Sequence, residues 1–449
     1  MKKIFQYIML AVVTIVMAAC TSDIEETTAT TGKSNVQLVV GEFPAFGDSQ
    51  TRAIGTPDEG KTSWVVGDEL LLEMTSKTFG SKYAAFTYNG SSWELTSGEL
   101  SYKEDEVPTF PHVYYAPNYK WEAGKLVLKE GKAAGTDEYI EGTAQITPNG
   151  EAITVKFAGA TRKYSRLRIA TLPNEQITVD TEYFTPAGSS DMEQEGNYTL
   201  TSDEKGNAYL YGTFENNSEV TVKYREAALT TYTFSQATES AKSYALDATV
   251  ISANSAEEIK SAIKQKVADG KTTIRLNLAP NAGTNEFMAI REAIKGAAPN
   301  DLGTIELTII GVETIPEEAF YKMLQLKSVR MSDVKEIKKY AFKECQYLTV
   351  VEAPSLNKLC SGAFKKCDQL AKLTFGPINY ADERNWPIFE YITPNIDLIL
   401  SDYQKEMIET DSYLYTANND RDYAGSDEHN SKNFLGREFR SITCRYKVK

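Results

Sequence analysis

The chain predicts a mainly β protein with an α/β C-terminal part, an antiparallel β-sandwich followed by a short solenoid with capping segments. Three features carry this expectation. Short strand-like runs alternate with turn residues up to about residue 250. Helical periodicity appears abruptly after it. From residue 302 an apolar pattern then repeats every 22 residues.

The chain opens on Lys2 and Lys3, an almost unbroken apolar stretch from Ile4 to Val16, and Met17-Ala18-Ala19-Cys20. This reads as a lipoprotein signal peptide over 1–19. The small residues Ala18 and Ala19 suit a signal-peptidase cleft, and the Cys20 thiol accepts lipid before becoming the new N-terminus. The apolar run is shorter than the roughly 20 residues that cross a bilayer. Residues 20–34 are polar and Thr-rich, a tether that cannot bury a core. Asp23, Glu25 and Glu26 directly behind the cysteine resemble the sorting signal of surface-exposed lipoproteins, which implies a lipid-anchored chain on the exterior of an outer membrane.

The mature chain has room for two or three domains with real cores. Net charge is −14 over 449 residues, with pI near 5.0, and removal of Lys2 and Lys3 makes it more negative. Such a chain repels phosphate backbones, which argues against nucleic acid as partner.

Residues 35–250 contain runs rich in Val, Tyr, Thr and Phe, such as Val36 to Phe43, Trp64 to Met74, Tyr83 to Tyr88 and Ile153 to Phe157. Their punctuation by Gly, Asn and Asp is the rhythm of an antiparallel sandwich. Asn89-Gly90 and Asn149-Gly150 mark hairpins, because both residue types tolerate positive φ. At Ser255 and Glu258 a capping box starts a helix reaching about Asp269, with Ile259, Ile263 and Val267 on one face. A strand over Thr273 to Leu278 and a helix from about Asn285 to Ala297 follow. Residues 251–301 therefore read as an α/β cap.

A 22-residue shift superposes Ala319-Phe320 on Ala341-Phe342 and Ala363-Phe364. It also places Ile315 on Ile337 and Leu359, Leu326 on Leu348 and Leu370, and Met323 on Cys345 and Cys367. Repeating apolar positions at this period describe one coil of a solenoid whose rungs stack into a ladder. Lys338-Lys339-Tyr340-Ala341-Phe342-Lys343-Glu344-Cys345-Gln346-Tyr347-Leu348 resembles the unit of the BspA-type leucine-rich repeat. That resemblance covers 302–378 and implies that Cys345 and Cys367 are buried rungs. Residues 379–449, with a helix near Asp402 to Glu409 and a strand near Ser441 to Val448, are expected to cap the far end.

A second resemblance lies in the β region. Thr51-Arg52-Ala53, Trp64-Val65-Val66-Gly67-Asp68, Tyr114-Tyr115-Ala116-Pro117, Phe157 and Arg166-Leu167-Arg168-Ile169 occur in the order seen in fimbrillin-like (Mfa-like) surface lipoproteins of pili and adhesins. The family often carries a histidine after the Phe157 position, where this chain has Gly159-Ala160-Thr161. The resemblance implies that Arg52 is a candidate site of proteolytic processing, and pilus subunits become candidate partners. A repeat domain follows the sandwich in place of a terminal donated strand, which argues against polymerisation.

Chemistry-bearing motifs are sparse. Gly55 to Thr62 spells a phosphate loop, but such a loop needs a strand before it and a helix after it, and Trp64 to Met74 reads as a strand. Asn418, Asp420, Asp422 and Asp427 offer oxygen ligands, yet calcium-loop spacing fails at Tyr423 and His429. Only two histidines, His112 and His429, are available as bases, no nucleophile elbow or zinc quartet appears, and Glu104 with Glu106 reads as charged surface. No cofactor, metal or enzymatic activity is expected. The favoured function is an adhesin or pilus-associated lipoprotein whose repeat face binds an extracellular protein. The alternative is glycan capture for nutrient uptake, with exposed aromatics among the 26 tyrosines as the platform.

Overall fold

The computed structural model describes residues 37–44, 46, 61–103, 106–147, 152–157, 162–225, 227–253, 255–382, 387–404, 433–435 and 437–446. Cys20, Arg52, Asn149-Gly150, residues 159–161, the acidic loop with Asn418, Asp420, Asp422 and Asp427, and His429 lie outside them. So do Glu104 and residues 55–60 of the phosphate-loop spelling.

The chain is mainly β, with two mostly antiparallel sheets first, each holding one parallel pair (Gln37–Val40 with Ala152–Lys156, Ser165–Ala170 with Ser243–Asp247), and a parallel solenoid after them. The β region, expected as one sandwich domain over 35–250, holds two hydrophobic cores. The first belongs to an eight-stranded sheet. Its strands run, in spatial order, Ile140–Glu141, Thr109–Tyr115, Glu69–Ser76, Gly80–Tyr88, Trp93–Gly98, Gln37–Val40, Ala152–Lys156 and Thr143–Ile146. Its two terminal members are the halves of one strand bent at Gly142, so the sheet closes on itself and leaves no free edge there. A Cβ at Gly142 would stand 2.6 Å from the Phe157 ring, which explains glycine at the bend. Alternate residues Leu70, Leu72 and Met74 point into one core with Phe86, Val113, Tyr115, Ile153 and Val155. Leu71, Ala85 and Tyr114 face the other way, under a hairpin of Tyr119–Glu122 and Lys125–Leu128.

The hairpin at Asn89-Gly90 forms with a four-residue loop. Gly90 has φ 102°, and the Asn89 side-chain oxygen accepts from the amides of Ser91 and Ser92 at 2.9 and 2.8 Å. Glu69–Ser76 is the strand after the phosphate-loop spelling, and Lys61 donates to Asp68 and, at 2.7 Å, to the Tyr115 hydroxyl. Both partners occupy the lysine that a phosphate would need.

The second core lies in a seven-stranded sheet between Ser165 and Asp247. Val179, Phe184, Leu210, Phe214, Val220 and Val222 form its centre. No residue is shared between this core and the one before it. Between them, Arg162 bonds both carboxylate oxygens of Glu138, at 3.1 and 2.9 Å, and the Pro44 carbonyl, while Tyr164 donates to the same carboxylate. Both charged side chains are almost wholly buried. Strand alternation alone does not reveal that two cores exist, because it reports which residues face inward and not which interior they enter.

The solenoid begins at Ile251. Helix α1 (Ala256–Ala268) is capped by Ser255, whose hydroxyl accepts from the Glu258 amide, and buries Ile259 and Ile263. Helix α2 (Thr284–Ala297) starts at Gly283, whose amide donates to the Glu286 carboxylate at 2.8 Å. Eight parallel strands lie side by side in chain order: Ile251–Ala253, Thr273–Leu278, Ile305–Ile310, Leu326–Met331, Val350–Ala353, Lys372–Phe375, Asp397–Ser401 and Ser441–Tyr446. The segments on either side of residues 302–378 continue the same sheet, with Ile251–Ala253 and Thr273–Leu278 before it and Asp397–Ser401 and Ser441–Tyr446 after it. A second parallel sheet joins Thr314–Ile315, Glu336–Ile337, Lys358–Cys360 and Tyr380–Asp382. After Ser401 the chain makes a short 3-10 turn, Asp402–Gln404, where a longer helix was expected; residues 405–432 lie outside the description.

Candidate binding surface

Each coil is built from the inside outward. Ile315, Phe320, Leu326, Ile337, Phe342, Cys345, Leu348, Leu359, Phe364, Cys367 and Leu370 are all buried. The phenylalanines stack: centroids are 5.1 Å apart for Phe320 and Phe342 and 5.4 Å for Phe342 and Phe364. Phe389 continues the column at 5.6 Å, although the spacing lengthens there from 22 to 25 residues, and Phe287 of α2 closes its start at 5.6 Å. Such pairs add about 0.5–1.5 kcal/mol each beyond area burial.

The cysteines belong to this ladder. Cys345 donates to the Phe320 carbonyl and Cys367 to the Phe342 carbonyl, both at 3.0 Å. Burial pushes the Cys345 thiol up to about 12 and that of Cys367 in the same direction. Among the described residues, Cys345, Cys360, Cys367 and Cys444 are not joined in disulfides. Cys360 and Cys444 are half-buried.

The turn after each short strand needs a left-handed backbone. Glu318, Tyr340 and Gly362 occupy equivalent places with φ of 56°, 55° and 64°, and Lys322, Glu344, Lys366 and Tyr391 do so four residues later. For non-glycine residues that conformation costs about 1–2 kcal/mol. Coil-to-coil bonds hold it, such as Lys322 N to Lys343 O at 3.0 Å and Glu344 N to Lys365 O at 2.8 Å.

Two surfaces result. On the eight-stranded sheet the register aligns Glu306, Ser328, Val350, Lys372, Asp397 and Ser441 in one outward row, and Thr308, Arg330, Glu352, Thr374, Ile399 and Thr443 in the next. Strands about 4.8 Å apart hold these side chains at fixed spacing. Lys327 pairs with Glu306 and Arg330 with Glu352, both at 2.9 Å. Beside the phenylalanine ladder runs a second surface of lysine and tyrosine. Lys343 lies 5.1 Å from the Tyr321 ring and 4.6 Å from that of Tyr340, Lys339 4.8 Å from Tyr340, and Lys365 5.7 Å from Tyr391. This row was legible and was missed: Tyr321, Lys343 and Lys365 each follow a ladder phenylalanine, one residue beyond the positions used to find the repeat.

His112 lies on Thr109–Tyr115 with its side chain exposed, stacked on Tyr114 and sharing a 3.0 Å hydrogen bond with the Tyr114 hydroxyl. Its strand is apolar, but alternation turns this residue outward. Glu106 accepts from Ser76 at 2.9 Å and from the Lys77 amide, which makes it a loop clamp. Among the described residues no three His, Cys, Asp or Glu side chains gather as metal ligands.

Residues 301–404 match the BspA type leucine rich repeat region, in six copies; this part of the chain is such a solenoid, and the match runs past residue 378 into strand Asp397–Ser401. Among solved structures, a Bacteroides fragilis NCTC 9343 protein described as a candidate cell adhesion protein aligns at 12% identity, covering 48% of this chain and 93% of its own, with a TM-score of 0.27. No curated protein matches the chain.

Proposed function

We propose that this protein is a surface lipoprotein adhesin, held at the exterior of an outer membrane by lipid on Cys20, whose solenoid binds an extracellular protein. The carrying observation is the outward face of the eight-stranded sheet. Its side chains are positioned by a ladder that leaves their identity free, and solenoids of this kind offer extended surfaces to protein partners. The lysine and tyrosine row supports the same reading, since tyrosine is enriched at the cores of interfaces. The fimbrillin-like motifs favour a β region that acts as a stalk or pilus-docking module, with Arg52 as a processing site. Catalysis has no part in this reading.

Deleting residues 251–449 in the native host tests it, with surface labelling read beside binding to immobilised matrix proteins and to a glycan array. The expected result is a retained surface signal and lost protein binding. Undiminished protein binding by the truncated chain, or saturable binding to glycans alone, would overturn it. N-terminal analysis of the surface form decides processing: a single acylated species beginning at Cys20 excludes cleavage after Arg52.

A further inference from the structure

A polar cleft of about 180 Å³ opens where the second β module meets the start of the solenoid. Its floor is the parallel sheet, where the register sets Arg275 beside Thr308 and Thr308 beside Arg330, with Thr273, Glu306 and Ser328 in the neighbouring row. Its other wall is Leu229, Thr230 and Thr231 of the edge strand Ala227–Thr233.

Arg275 is only 7% exposed. Its Nε donates to the Leu229 carbonyl at 2.6 Å, and its Nη1 stands 3.9 Å from Asp247, too far for a hydrogen bond. A guanidinium has five N–H donors, so most of this one lacks an acceptor among the described residues. Arg330, across Thr308, is tied to Glu352 through Nε, and Glu306 to Lys327. Burial, with the Arg330 charge added and Asp247 and Glu306 opposing, lowers the pKa of Arg275. The cleft therefore holds a guanidinium whose charge meets only a loose 3.9 Å ion pair with Asp247 and the Glu306 carboxylate, itself bonded to Lys327.

The remaining lining narrows the ligand. Thr231, Thr273, Thr308 and Ser328 carry hydroxyls that both donate and accept. Glu306 accepts from ligand hydroxyls and disfavours a multiply charged anion. The volume is below the roughly 300–1,000 Å³ of clefts that take drug-sized ligands, so the occupant is one small ring. We propose that the cleft binds a sugar acid, a single uronate-type ring whose carboxylate lies between Arg275 and Arg330 and whose hydroxyls meet Glu306 and the surrounding threonines. The site shares Glu306, Thr308, Ser328 and Arg330 with the first coils of the outward sheet face, but its binding of a small sugar acid is read without any protein partner.

Titration calorimetry on the full mature chain with D-glucuronate, D-glucose and inorganic sulfate tests it. Saturable binding of glucuronate alone is expected. Arg330→Gln, on a partly exposed side chain, should lower the affinity roughly ten- to a hundredfold with the melting temperature unchanged. Arg275→Gln should lower it similarly, with thermal unfolding recorded in parallel because that residue also braces the joint. Absent glucuronate binding, equal binding of glucose, or unchanged affinity in the folded Arg330→Gln variant would overturn the proposal. Sulfate displacing glucuronate at equal concentration would reduce the site to a general anion hole and also overturn it.

Discussion

The Arg275 guanidinium reaches across from the solenoid sheet to the backbone carbonyl of Leu229, 2.6 Å away on the edge strand of the second β module. Around that bond, Ile310 of the solenoid packs within the core of the β module, and Lys266 of α1 donates to Thr249 at 2.8 Å. A shared core and buried polar bonds make a stiff joint. The second β module and the described strands of the solenoid are therefore expected to unfold in one cooperative transition. Arg275→Met, which orphans the Leu229 carbonyl, should cost about 1–3 kcal/mol and accelerate hydrogen exchange on both sides of the joint; exchange changes confined to one side would contradict it.

The continuous parallel sheet sets where the chain can be cut. A fragment beginning at residue 302 loses Ile251–Ala253 and Thr273–Leu278, both helices and the Phe287 end of the aromatic column. It should aggregate or fail to fold, whereas a fragment from residue 251 keeps every strand of the sheet. Circular dichroism and size-exclusion chromatography of the two fragments distinguish these outcomes.

Phe342 sits inside the column, fully buried between Phe320 and Phe364. Phe342→Ala removes contacts on both sides and leaves a cavity, with an expected cost of about 3–5 kcal/mol in denaturant unfolding. Tyr321→Ala, on the outward row beside it, should stay within about 1 kcal/mol while weakening partner binding.

The buried thiols impose a pH dependence with a definite sign. Cys345 holds its proton up to about 12, against an ordinary value of 9.0, so the folded state binds that proton more tightly than the unfolded chain does. This contribution is fully present below pH 9 and declines as pH rises from about 9 towards 12. Cys345 and Cys367 should resist iodoacetamide at pH 8 until the chain unfolds, whereas half-buried Cys360 and Cys444 react first. Mass mapping of the labelled sites checks the order.

Arg162 and Glu138 form a buried ion pair at the junction of the two β modules. Arg162→Met strands a buried carboxylate and should cost about 3–5 kcal/mol, while the double variant Arg162→Met with Glu138→Met should recover most of it. A double-mutant cycle in urea measures the coupling; equal destabilisation by the single and double variants would count against the pair.

The solenoid was legible in the linear chain because each rung depends on a position within its own coil, and a period of 22 exposes it directly. Helices α1 and α2 were likewise legible from caps and one apolar face. The division of the β region was not. It depends on Gly142 bending one strand so that both halves close the first sheet, and on Arg162 meeting Glu138, 24 positions earlier. The acid-sugar cleft needed more distant meetings still, with Arg275 reaching Leu229 across 46 positions and Arg330 reaching Thr308 through strand register. By itself the sequence determined the repeating interior, since burial of periodic apolar side chains is a local demand made again in every coil. Only the tertiary structure decided which interiors are separate and which polar groups face one another, because those pairings arise from sheet closure and register between segments that share no local pattern.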